Sequence, residues 1–188
     1  MQTPRAIFDD RNLSAVVLVG ARASGKTTVG RLLATAYQVG FIDLDERALA
    51  LSGEPSVRTV FERQGEPAWR TAEAAALTAA IEESPVVIAT GGGVACIDPP
   101  RRVLRMAADA GIVEIIWLRC DGQTLTERLA SDPGDRPSLT GADPVEEAIE
   151  VAACRAKSYE SIATHIIDAT GSPNATAATI QQALQSAS

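Results

Sequence analysis

Residues 16–30 read VVLVGARASGKTTVG: a short apolar run, a loop of small residues, a lysine, two hydroxyls and the start of a helical pattern. Gly20 to Thr27 fit the spacing G-x-x-x-x-G-K-[ST], between the strand and the helix that this pattern requires. In that setting the N–H groups of the loop and of the helix N-terminus converge on phosphate oxygens. Lys26 then reaches the outer phosphates of a nucleotide, and the Thr27 hydroxyl ligates Mg²⁺. The expected nucleotide contacts are Ala21, Arg22, Ala23, Ser24, Gly25, Lys26, Thr27 and Thr28. Ala23 stands where many such loops carry glycine, and a positive φ there would add strain on the order of 1 kcal/mol. Gly30 lies inside the helix at a similar cost relative to alanine, which points to close packing against it.

Working outward, further apolar runs appear at 41–43 (FID), 86–89 (VVIA), 113–118 (VEIIWL) and 165–168 (HIID). Helical patterns separate them, among them KTTVGRLLATAYQ, PAWRTAEAAALTAAIEES and PPRRVLRMAADAG. Strand and helix alternating through connections this long imply parallel pairing under right-handed crossovers, hence a three-layer α/β fold. The stretch 131–144, SDPGDRPSLTGADP, is crowded with Pro, Gly, Asp and Ser between two helical segments, and is expected to be a mobile lid or binding loop. Residues 1–14 are expected to form an N-terminal tail, and 188 residues suit a single domain.

The composition, 46% apolar and 22% charged, is that of a soluble globular protein. A formal charge of −7 argues against nucleic acid or an anionic membrane as the main partner, since both call for a cationic face. It leaves room for a small anion, because a few converging arginines set their own local field. Neither a spanning segment nor a secretory leader is evident, so the expected location is the cytoplasm. Cys96, Cys120 and Cys154 have no metal-site or disulfide spacing and read as free, mostly buried thiols.

The third apolar run ends in Thr90, whereas the second ends in FIDLD, offering Asp43 and Asp45 two residues apart. On an extended strand end both carboxylates project to one side. Asp43 is assigned to the metal and Asp45 to a substrate hydroxyl; the plainer alternative is one helix N-cap and one solvated loop residue. No Asn/Thr-Lys-x-Asp motif for guanine is present, which favours ATP. For the acceptor, the sequence offers Asp45, Arg70 beside Trp69, the run Gly91, Gly92 and Gly93, and Arg155. Glycines at the carboxyl end of a central strand allow a ligand close to the backbone.

Taken together, GARASGKTTVGR, FIDLD, GEPAWR, IATGGG, RPSLTG, CRAKSY and HIIDAT resemble, in order and spacing, the shikimate kinase family over about residues 16–175. The resemblance implies a P-loop NTPase fold of the nucleoside monophosphate kinase type, with a five-stranded parallel sheet in the order 2-3-1-4-5. It implies transfer of the ATP γ-phosphoryl group to the 3-hydroxyl of shikimate, in aromatic amino acid biosynthesis, with Mg²⁺. Carried over, Asp45 grips ring hydroxyls and is the candidate base, Arg70 and Arg155 clamp the carboxylate, and Gly91, Gly92 and Gly93 line the ring. Phe61 and Trp69 become apolar pocket walls, and Glu73, at i+3 from Arg70, holds that arginine. Arg136 resembles the lid arginine reaching the transferred phosphate, Arg128 the arginine on adenine, and DATGSPNA, with Ser172, the loop over adenine's other face. The catalytic set is thus Lys26, Asp45 and Arg136, with Thr27 and Asp43 on the metal. The chain is expected to be a monomer. Two other readings stand beside this one: a kinase of the same fold acting on gluconate or a nucleoside monophosphate, and an ATP-binding regulator without turnover. The only histidine, His165, reads as structural.

Overall fold

The computed structural model describes residues 6–131 and 144–186. Its elements in chain order are α1 (Ala6–Arg11), β1 (Ala15–Val19), α2 (Lys26–Tyr37), β2 (Gly40–Asp43), α3 (Leu44–Ser52), α4 (Val57–Arg63) and α5 (Glu66–Glu82). There follow β3 (Val86–Ala89), α6 (Pro100–Asp109), β4 (Val113–Arg119), α7 (Gly122–Ser131), α8 (Pro144–Ile162), β5 (His165–Asp168) and α9 (Pro173–Ser186). The strands pair in parallel in the order β2-β3-β1-β4-β5. Both the strand order and the expected strand positions are observed. The lid stretch falls almost wholly on 132–143, outside the described residues.

Central β1 is buried on both faces, which is why it reads as an unbroken apolar run. Alternation divides it. Ala15, Val17 and Val19 join Ile115, Trp117 and the Trp69, Ala76 and Leu77 side of α5 in one core. Val16 and Leu18 face the other way, into Leu33 of α2 and Ile180 and Leu184 of α9. A fully buried side chain of this size contributes about 1.5–3 kcal/mol relative to exposure. Strand order places the switch between β3 and β4 on either side of β1, so the carboxyl ends of these strands open the crevice where ligands bind in open α/β sheets.

The expected tail over 1–14 is corrected from Ala6 onward. Helix α1 buries Ile7 and Phe8, and Leu13 follows them into the second core. Phe8 meets Tyr37 edge-on, with ring centroids 5.7 Å apart. Arg11 pairs with the buried Glu114, which also lies 3.3 Å from His165 Nδ1 and accepts from the Thr164 hydroxyl. The histidine therefore belongs to a network fastening α1 to the amino ends of β4 and β5. Cys96 and Cys120 are half-buried and Cys154 is exposed, less buried than their sequence setting suggested. Among the described residues no helix is long and apolar enough to cross a membrane.

Candidate active site

The phosphate loop begins where β1 runs out. Helix α2 starts at Lys26 with Gly25 as N-cap at φ 92°, which brings no side-chain cap to a helix end of the kind that binds anions. Ala23 does adopt positive φ, at 61°, so the strain foreseen for alanine is present. At Gly20 a Cβ would come within 2.8 Å of the Leu118 carbonyl, so only glycine lets the loop cross β4. Lys26 Nζ donates to the Gly20 and Ala21 carbonyls at 3.0 and 2.7 Å. Ser24 is buried, while Thr27 and Thr28 are exposed on the first turn of α2. Gly30 packs as expected: a Cβ there would stand 2.6 Å from Phe41 Cε2.

Asp43 and Asp45 come together, by a different route from the extended strand end. The strand stops at Asp43, which caps α3: its Oδ1 accepts from the Asp45 N–H at 3.1 Å. Its other oxygen accepts from Thr27 Oγ1 at 3.1 Å. Asp45 thus sits in the first turn of a helix, and the strand-periodicity argument for the pair is replaced by a capping one.

A cleft of about 930 Å³ opens beside the loop. Ala21, Arg22, Ala23 and Lys26 form one end, and Asp43 and Asp45 one side. Phe61, Trp69, Arg70 and Arg155 line the remainder, with Gly91, Gly92 and Gly93 as its floor. Each glycine makes room for one of these side chains. A Cβ at Gly91 would collide with Asp45 Oδ1, one at Gly92 would lie 3.4 Å from Arg155 Nη1, and one at Gly93 would lie 2.6 Å from Arg70 Nη1. Packing, rather than left-handed backbone, requires glycine at Gly91 and Gly93, whereas a Cβ at Gly92 would make ordinary contacts.

Arg70 is held from two sides. Its Nη1 donates to Glu73 Oε2 at 2.7 Å, and its Nε and Nη2 donate to Glu66 Oε1 at 3.1 and 2.7 Å. Burial works against the Arg70 charge, but the attraction of Glu73 and the hydrogen bonds from both carboxylates outweigh it and hold the guanidinium above its ordinary range. Burial raises the Glu73 carboxyl despite Arg70, and nearby Asp45 raises it further. Beneath the floor, Tyr159 donates its hydroxyl to the Gly92 carbonyl at 2.7 Å, and burial pushes its pKa well up.

The remaining expected nucleotide residues cluster on the far side of the loop. Arg128 Nη2 donates to the carbonyls of Ala169, Thr170 and Gly171 at 2.8, 3.3 and 3.1 Å, and its Nη1 to that of Ala23 at 3.4 Å. It ties the phosphate loop to the segment before α9, where Ser172 Oγ accepts from the Ala175 N–H. Arg136 lies outside the described residues. Sequence reasoning missed Glu66, Tyr159 and Arg58, an exposed arginine of α4 on the cleft wall. Glu66 was signalled by its i, i+4 spacing to Arg70, whereas nothing local announced the reach of Tyr159 to Gly92.

Residues 22–185 match the family model described as shikimate kinase. "Shikimate kinase 2" of Yersinia enterocolitica serotype O:8 / biotype 1B is 39% identical over 160 residues, 84% of this chain and 88% of that protein. The structure of shikimate kinase from Acinetobacter baumannii in complex with shikimate aligns with a TM-score of 0.81 at 28% identity, covering 96% of this chain and 97% of that one. A gluconokinase from Sinorhizobium meliloti 1021 reaches a TM-score of 0.58 at 19% identity with 91% of each chain covered, a likeness of fold alone.

Proposed function

Because the chain belongs to the shikimate kinase family, we propose that it transfers the γ-phosphoryl group of ATP to the 3-hydroxyl of shikimate, giving 3-phosphoshikimate and ADP. The observation that carries this reading is the shared cleft: an uncapped helix N-terminus with Lys26 faces Asp45, Arg70 and Arg155 over a glycine floor. A phosphate donor and a small hydroxy acid each find their complement there.

In this reading Arg70 and Arg155 hold the acid group. Two guanidiniums on one carboxylate anchor the end of the ring remote from the reaction, so that binding energy fixes the hydroxyl at the other end. Asp45 accepts a hydrogen bond from that hydroxyl and takes up its proton as the O–P bond forms. Phe61 and Trp69 give the ring apolar walls, which narrow the poses available to it. Lys26 turns from the loop carbonyls to the β- and γ-phosphates, while the α2 N–H groups hold their oxygens. Arg128 and the segment with Ser172 frame the adenine. Arg136, by resemblance, adds positive charge at the transferred group.

The residues present suit Mg²⁺: one hydroxyl, Thr27, meets one carboxylate, Asp43, at 3.1 Å, an oxygen pair sparse enough for an ion that keeps several waters and uses substrate phosphates. Bound there, the ion would supply positive charge against the nucleotide's phosphates. Thr27 and Asp43 orient each other for that role. A monomeric, cytoplasmic enzyme is the proposed form.

A coupled ADP-release assay with ATP and Mg²⁺ tests the proposal, offering shikimate, quinate, gluconate and nucleoside monophosphates in turn. Release that depends on shikimate is expected. Release driven only by gluconate or a nucleotide, or by none of them, would refute it.

A further inference from the structure

Arg70 carries two carboxylate partners, and they are not alike. Glu73 is locked in, its side chain 1% exposed, whereas the Glu66 side chain is 49% exposed at the first residue of α5. Glu66 nevertheless takes two of the five guanidinium N–H donors with a single oxygen, and it does so on the wall of the cleft. Half in water, the Glu66 carboxylate can be rehydrated once the buried Arg70 finds another acceptor, which Glu73 cannot.

Charge makes this arrangement consequential. Among the described residues, the cleft lining sets five basic side chains, Arg22, Lys26, Arg58, Arg70 and Arg155, against the six carboxylates of Asp43, Asp45, Glu62, Glu66, Glu73 and Glu147, so an acid enters where carboxylates already outnumber cations. Arg70 packs closely against Gly93, where even a methyl group would lie 2.6 Å from Nη1, so on that side the guanidinium has little room to shift. Of its two carboxylate partners only Glu66 has water beside it, so Glu66 is the one that can yield.

We infer that Glu66 is a displaceable carboxylate that occupies Arg70 until an acid substrate arrives and then yields the guanidinium, so that it sets the affinity for the acid without joining the chemistry. This rests on the reading above, in which Arg70 and Arg155 bind the acid group together. The substrate wins the exchange because its carboxylate is shared by two arginines while Glu66 engages one. Glu66 is a positioning residue: it keeps Arg70 extended across the floor in the free enzyme, and it makes binding selective for acids able to compete.

A merely supporting role predicts the opposite sign, and the test uses that difference. With the full chain, Glu66→Gln and Glu66→Ala should each lower the KM for shikimate about threefold or more, with kcat moving less than KM. Glu73→Gln, which loosens the buried partner, should raise it. Shikimate methyl ester, which lacks the charge, should gain nothing from either Glu66 variant. An unchanged or raised shikimate KM in both Glu66 variants, with an active wild type, would overturn the inference alone. A wild type that neither phosphorylates shikimate nor gives heat with it in calorimetry would overturn the functional reading and this inference together.

Discussion

Thr27 Oγ1 donates to Asp43 Oδ2 over 3.1 Å, joining the first turn of α2 to the end of β2, while the other oxygen of the same carboxylate caps α3 through the Asp45 N–H. One aspartate therefore orients the hydroxyl assigned to the metal and fixes the helix that carries the candidate base. The two duties separate by substitution, because asparagine caps a helix about as well as aspartate but carries no charge. Asp43→Asn should leave thermal stability nearly unchanged and raise the Mg²⁺ concentration for half-maximal rate about tenfold. Asp43→Ala should in addition lose about 1 kcal/mol in urea unfolding. An unaltered Mg²⁺ requirement in Asp43→Asn would leave the residue as a cap and nothing more.

The Gly93 floor gives a second prediction. A methyl group at this position would lie 2.6 Å from Arg70 Nη1 and 3.0 Å from its Cζ, and Glu66 and Glu73 hold that guanidinium on two sides. Gly93→Ala should raise the shikimate KM about tenfold, equivalent to about 1.4 kcal/mol of lost binding, with the ATP KM unchanged. Gly40→Ala is the control, since its Cβ would meet only Val86 Cγ2 at 3.6 Å, and neither KM should move. Equal behaviour of the two variants would detach Arg70 from the acid site.

Asp45 packs against Gly91 and lines the cleft together with Lys26 and Arg70. If it takes the hydroxyl proton, Asp45→Asn keeps the shape and loses the base. A fall in kcat of about 10²–10⁴ is expected, with ATP affinity by calorimetry unchanged. Retention of full turnover would assign the side chain to hydroxyl binding alone.

The parts legible in the sequence share a cause. Strands β1 and β3 begin and end where their apolar runs do, because a parallel strand covered on both faces tolerates no polar break. The phosphate loop was readable because its function is performed by backbone at fixed spacing, and the strain at Ala23 followed from that geometry. The Glu73–Arg70 contact was foreseen from i+3 spacing, and burial turns it from a surface pair into a fixed one. Where the signal was short or distant, reading failed. Six residues with only Ile7 and Phe8 to bury do not announce a helix such as α1. The Asp43 and Asp45 pairing was right in place but wrong in cause, since α3 starts at Leu44 and ends the strand period. Tyr159 reaches the Gly92 carbonyl across 67 residues of chain, which only the fold brings together.

The correction at the amino end is itself testable. Phe8 is 2% exposed, packed edge-on against Tyr37 among α2, α9 and β1 side chains, in a core that shares no residue with the cleft lining. Truncating a buried phenylalanine removes both its transfer free energy and the packing of the cavity left behind. Phe8→Ala should therefore cost about 3–5 kcal/mol in urea unfolding. Both substrate KM values and kcat, measured well below the unfolding transition, should remain as in the wild type, because Phe8 meets α2 at Tyr37, its last residue, and not at the first turn that carries Lys26 and Thr27. A stability loss under about 0.5 kcal/mol, the level of an ordinary surface substitution, would return these residues to the status of a tail.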